Sequence, residues 1–316
     1  MQIVHKNMSL TDTDTISPIV RILSYFSLFN YPLLAEEIRK YLPVHWDDNG
    51  FTTELRSLEH DGYIFRLEEF YSIVNDPKLV SRRREGNLRA TRLLRKARRI
   101  GKFLSLFPFV RGVAISGSLS KNFADEKADI DFFVITNTNR LWIARTVMHL
   151  FKKLTFLTGH QNLFCMNYFL DQLALEIPDQ NIYTAIEVST LIPVGGSAMP
   201  DFFNANRWVR NWVPGHPAQS RKEIKESRPL ISRITEYLLN SDRLDNICMN
   251  ITARRWSKKM SVNAKNSEGR RMNLEMTKHS ARSNPGRFQE NLLDAYQELL
   301  GRFKLESRRV IFSSVR

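Results

Sequence analysis

The sequence predicts an α+β protein in three parts: a small N-terminal helical module closed by a hairpin, a central mixed sheet with helices, and a basic helical C-terminal region. Three observations carry this. Helix-period apolar stripes fill residues 17–62 and recur after residue 216. Short β-rich apolar runs alternate with amphipathic stretches between residues 110 and 195. The chain of 316 residues is 42% apolar, enough to bury a sizeable core in about two domains. The expected boundaries are a polar tail at 1–16, the helical module at 17–80, the sheet domain at 81–215 and the basic region at 216–316.

In the first module, "ISPIVRILSYFSLF" sets Ile19, Ile22, Leu23 and Phe26 at helical spacing, with Pro18 suited to the first turn. "LLAEEIRKYL" follows the break at Pro32, and "FTTELRSLEHDGYI" ends at Gly62, a helix-terminating residue. "YIFRLEEFYSIV" alternates as two short strands around an acidic turn. Three helices and a hairpin make a winged-helix-like arrangement. Its third helix sets Arg56 against Glu54, Glu59 and Asp61, whereas phosphate contact needs net positive charge there. Protein contact or packing therefore suits this module better than DNA reading.

"SRRREGNLRATRLLRKARRIGKFLSLF" has nine basic residues and one acid, Glu85, between Arg82 and Arg99. Leu93, Ala97, Ile100 and Leu104 form one stripe, so the expected helix packs that stripe inward and turns a basic face outward. Together with a net charge of +14, this face suggests a polyanionic partner, and nucleic acid is the possible one. Cys165 and Cys248 lie far apart and form neither a disulfide framework nor a metal cluster. The start of the chain has no signal pattern, and no run of about 18 apolar residues occurs, so a cytoplasmic protein without membrane contact is expected.

The chemistry gathers in "AISGSLSKNFADEKADIDFFVIT". An apolar strand ends at Gly117–Ser118, and "LSKNFA" is read as opening a helix whose free N–H groups form an anion site. Ser118, Ser120 and Lys121 add hydroxyls and a cation. "IDFFVIT" is the next strand. Alternation puts Asp129 and Asp131 on one face, about 7 Å apart, where they can share a hard cation such as Mg²⁺ or Mn²⁺. A phosphate cradle beside a carboxylate metal site suits the triphosphate of a nucleotide. A P-loop is excluded, because Ser118 and Leu119 follow Gly117 where Lys and Ser/Thr belong.

These residues resemble the signature of the DNA polymerase beta-like nucleotidyltransferase superfamily: apolar strand, Gly-Ser, a spacer of about ten residues, then Asp-apolar-Asp-apolar. Much of the chain also resembles a bacterial branch with an N-terminal winged-helix-like segment. The resemblance implies a small mixed sheet of nucleotidyltransferase type. It assigns nucleotide phosphates to Gly117 and Ser118, with Ser120 and Lys121 as helpers inferred from the anion site. It assigns divalent metal to Asp129 and Asp131. It also implies a third carboxylate on a neighbouring strand. On the expected strand "NLFCMNYFLD" the central polar residue is Asn167, a neutral ligand and poor base. Glu176 in "LALEI", expected on a further strand, is the preferred third acid, with Asp171 as the alternative.

The remaining segments read as structure. "NRLWIARTVMHLFKKL" is an amphipathic helix with Trp142, Ile143, Val147 and Leu150 inward; Arg140 and Arg145 are read as surface. "YTAIEVSTLIPV" is a helix ended by Pro193, with Glu187 solvated. "ISRITEYLLNSDRLDNI" is one helix, "RFQENLLDAYQELLGRF" another, and Arg254–Arg282 between them is polycationic. Two functions stand: metal-dependent transfer of a nucleoside monophosphate from a nucleoside triphosphate to an acceptor hydroxyl, or a catalytically degenerate nucleotide- or nucleic-acid-binding protein.

Overall fold

A computed structural model describes residues 16–43, 46–155, 163–215, 229–265 and 269–313. Its chain is α+β and divides into two units, one of the residues up to Ser81 together with those from Glu290 onward, the other Arg82–Gln289.

The first unit runs α1 (Pro18–Ser27), β1 (Leu33–Leu34), α2 (Ala35–Tyr41), α3 (Asp48–His60), β2 (Phe65–Leu67) and β3 (Phe70–Ser72). The strands form an antiparallel sheet in the order β1-β3-β2, with Glu68 at positive φ in the hairpin turn. Pro18 opens α1, and the inward residues Ile19, Ile22, Leu23 and Phe26 are buried as their spacing requires. The side chain of Asp47 caps α3 by accepting from the Gly50 N–H at 2.9 Å. From the C-terminal helix α11 (Phe288–Ser313), Tyr296 meets Tyr25 of α1 edge-on, 6.1 Å between ring centres.

The second unit holds α4 (Lys78–Leu104, its first turn belonging to the other unit), β4 (Val110–Ile115), α5 (Gly117–Ser120), β5 (Asp131–Thr136), α6 (Leu141–Thr155) and β6 (Cys165–Asp171). It continues with α7 (Ile182–Thr190), β7 (Ile192–Gly195), α8 (Met199–Ala205), α9 (Leu230–Leu239), α10 (Asp242–Ser261), β8 (Leu274–Met276) and β9 (Ser280–Ser283). Six strands form one sheet in the order β7-β4-β5-β6-β9-β8. β5 and β6 are parallel, joined through α6, and the other pairs are antiparallel. Its core includes Val113, Ile115, Phe132, Val134, Trp142 and Phe169.

Four expectations need correction. The boundary at residue 215 gives way because the hairpin β8–β9 pairs with β6 and completes the central sheet. Pro193 does not merely end a helix. It lies in β7, an edge strand, where a missing N–H costs no ladder bond. The expected single helix after residue 230 is two, because Ser241 caps a new one by accepting from the Leu244 N–H. Leu150 is exposed rather than core. Among the described residues, no helix is long and apolar enough to cross a membrane.

Candidate nucleotide and metal site

β4 delivers the chain, fully buried through Ile115, to a tight turn at Gly117. Gly117 has φ +67°, a conformation that costs a side-chain-bearing residue about 1–2 kcal/mol. A Cβ there would stand 2.6 Å from Oδ2 of Asp131. Glycine is needed twice over, for the turn and for the carboxylate beside it. The Ser116 N–H also donates to the Asp131 carbonyl at 3.0 Å, so turn and aspartate are tied through the backbone.

The following helix α5 is a single turn of four residues, too short for the dipole argument that suggested an anion site. Ser118 is exposed, and its hydroxyl has no partner among the described residues. Ser120 and Lys121 look inward. Ser120 Oγ donates to the Gly117 carbonyl at 2.8 Å and lies 3.3 Å from Thr190 Oγ1. Lys121 Nζ donates to the same carbonyl at 3.1 Å and pairs with Glu187 at 2.7 Å.

The two aspartates differ in placement. β5 starts at Asp131, so Asp129 lies in the preceding loop rather than on the strand, and buried Ile130 separates them. Burial pushes the Asp131 carboxyl up to about 7, helped by the negative charges of Asp129 and Glu187. Its hydrogen bonds with Cys165 and Asn167 act the other way. Asp129 is also raised, by partial burial, with Lys152 opposing the shift.

The third-acid expectation fails for both residues named. Glu176 lies in the loop beyond the carboxyl end of β6 and accepts a hydrogen bond from Gln180 at 3.1 Å. Asp171 pairs in register with Thr136, five residues along β5 from Asp131, roughly 16 Å at the rise of a parallel strand. Fully buried, it accepts from the Asn139 and Leu173 N–H groups and contacts His279 Nδ1 at 2.8 Å. It is a structural anchor at the far end. The residue beside Asp131 is Asn167, whose amide donates directly to Oδ1. Met166 pairs with Phe132 and Tyr168 with Phe133, leaving Asn167 as the extra residue of a β-bulge. A bulge re-aims the side chain it carries, here toward the aspartate.

Glu187 went unrecognised in the sequence. It lies on α7, which is docked to the turn through Lys121 and through Thr190 against Ser120, and its charge acts on Asp131. Spacing alone gave no signal, since one acid on an otherwise apolar helix reads as solvated. The nearest hint was the burial of the helix around it: Ile182, Thr184, Ala185, Ile186 and Val188 are all buried.

Among the described residues, no three His, Cys, Asp or Glu side chains lie close enough to enclose a metal. The donors present nonetheless fit one. The charge of Asp129 acts on Asp131 beside the Gly117 turn, and a magnesium-type ion takes one or two carboxylates and completes its shell with phosphate and water.

A glycine turn thus closes one strand, with a carboxylate from the start of the next strand against it. Residues 94–194, about a third of the chain, match the family model described as nucleotidyltransferase domain, and this segment is a nucleotidyltransferase domain of the polymerase beta-like superfamily. Neither curated proteins nor solved structures gave a significant match.

Proposed function

We propose that the protein moves a nucleoside monophosphate from a nucleoside triphosphate to an acceptor hydroxyl, in the cytoplasm, with Mg²⁺ or Mn²⁺ held by Asp129 and Asp131. The observation that carries this is Gly117: only glycine leaves room for the Asp131 carboxylate against a turn that can receive phosphates. Gly117 and the free hydroxyl of Ser118 bind the triphosphate. Ser120 braces the turn, and Lys121 stands at its edge with its charge shared between Glu187 and the Gly117 carbonyl.

The acceptor oxygen attacks the α-phosphorus. A new O–P bond forms as the bond from that phosphorus to the β-phosphate oxygen breaks, and pyrophosphate leaves. A divalent cation, when bound, neutralises charge developing on the phosphates. The acceptor's proton needs a base, and the amide of Asn167 cannot serve. Glu187 takes that role, because it is one of the two carboxylates whose charge acts on Asp131. Asn167 fixes the orientation of Asp131.

The N-terminal unit is read as a winged-helix-like module, supported by its order of helix, strand, helix, helix and hairpin. The acidic residues of α3 favour a protein partner for it over DNA.

The test is incubation with each α-labelled nucleoside triphosphate, Mg²⁺ or Mn²⁺ and cell extract. Label should pass to one acceptor class with release of pyrophosphate, and Glu187→Gln should slow transfer about 10²-fold or more while nucleotide binding persists. Binding without transfer by the parent would leave the degenerate-binder reading in its place.

A further inference from the structure

Helix α6 carries Arg145, His149, Lys152 and Lys153 at helical spacing, one stripe along its length. Arg145 was expected at the surface, but it is only 8% exposed. Its guanidinium lies over the rings of Trp142 and Phe169, 5.8 and 5.9 Å from their centres. It makes no hydrogen bond and no ion pair among the described residues. The neighbouring His149 has a buried Nε2 that also lacks a hydrogen-bond partner. The charges that act on His149 are Arg145, Lys152, Lys153 and, from α10, Lys259, all positive.

A buried, unpaired guanidinium is costly, and buried charges are ordinarily paired or bound to an ion. Aromatic faces soften the cost without satisfying five N–H donors. Among the described residues no acid answers Arg145 itself: burial draws its guanidinium down to about 10, and no carboxylate acts against that shift. The row also has a direction. Arg145 and Lys152 are about 10 Å apart along the helix axis, and the charge of Lys152 is felt at both Asp129 and Cys165. The Lys152 end of the stripe therefore lies toward Asp129.

We propose that Arg145, His149, Lys152, Lys153 and Lys259 form a phosphate-binding site separate from the Gly117 turn, suited to the backbone phosphates of an oligonucleotide acceptor. Phosphate is the ligand chemistry, since a planar guanidinium matches its oxygens in a bidentate fork and lysines add charge around it. The site places such a strand beside the aspartates. Only the word acceptor rests on the transferase reading; phosphate binding here does not need it.

The experiment measures binding of a single-stranded oligonucleotide of about a dozen nucleotides, and separately of inorganic tripolyphosphate, both in EDTA so that the aspartate pair plays no metal-dependent part. Parent, Arg145→Leu and Ser118→Ala proteins are compared, with thermal melts of each in the absence of anion. The oligonucleotide should bind the parent and Ser118→Ala alike, and Arg145→Leu should weaken binding about tenfold or more, the scale of a charge-assisted hydrogen bond. The melting temperature of Arg145→Leu should be no lower than the parent's, because an uncompensated buried charge has been removed. Tripolyphosphate binding alone, lost in Arg145→Leu, would keep the phosphate site and give it to a small polyphosphate. Equal affinities in parent and variant, or no binding of either anion, would overturn the proposal. If Arg145→Leu does not fold, Arg145→Gln retains the stem and most of the volume, and the same comparison decides. Failure of Mg²⁺-dependent nucleotide binding would instead strike the aspartate site and leave this one standing.

Discussion

Gly117 and Asp131 were legible in the sequence because each is defined by its neighbours: a glycine at the end of an apolar strand and a carboxylate at the start of the next. The structure adds that they touch. Gly117→Ala puts a methyl group 2.6 Å from Asp131 Oδ2 and a side chain at φ +67°. It should cost about 1–2 kcal/mol in urea unfolding and reduce nucleotide affinity together. Asp131 gives a second expectation. Its native carboxyl is raised from 3.8 to about 7, so between those values the native state keeps a proton that the unfolded chain has lost. Stability of the metal-free protein should then fall as pH rises through that window, and Asp131→Asn should flatten the slope, read from denaturant melts at a series of pH values. Glu187 was not legible. It reaches the site only because α7 returns from a distant loop and docks through Lys121, a long-range event without a local signature. Glu176 failed for the converse reason, since the segment expected as a strand is a loop at the opposite end of β6.

At the scale of elements, periodicity found α1, α3, α4, α6 and α11, where an apolar stripe is long enough to set a helix. It missed what depends on neighbours. β7 is four residues with a proline, and pairing with β4 makes it a strand. β8 and β9 are short, lie in a strongly charged stretch and become strands by pairing with each other and, through β9, with β6. α9 is held by Glu236, which accepts from the Phe109 N–H and forms a bidentate pair with Arg111, contacts more than 120 residues apart in sequence. Close packing also sets limits that composition does not show. At Gly101 of α4 a Cβ would lie 2.3 Å from Val194 Cγ2 of β7. Gly101→Ala should therefore force helix and strand apart and lower stability by about 1–3 kcal/mol. The loss should be partly restored by Val194→Ala, as measured by thermal melts of the single and double variants.

Across the whole molecule the net charge of +14 is concentrated rather than spread. On α4, Arg92, Arg95, Lys96, Arg98 and Arg99 are exposed, while Ala90, Ala97 and Leu104 face the core. If this face guides a polyanion, charge reversal at Arg92, Arg95 and Arg99 should weaken nucleic-acid binding and flatten its dependence on salt. Equal salt slopes would leave these arginines as solvated surface. The central claim is narrower than this electrostatic frame: Asp129 and Asp131, with the Gly117 turn, hold a metal–triphosphate unit. The most direct measurement is equilibrium binding of a non-hydrolysable nucleoside triphosphate, with Mg²⁺ and with EDTA, to the parent and to the Asp129→Asn, Asp131→Asn double variant. Parent binding should depend on Mg²⁺ and should be lost in the double variant, whose circular dichroism and melting stay those of a folded protein. Unchanged, Mg²⁺-dependent affinity in the folded double variant would contradict the account.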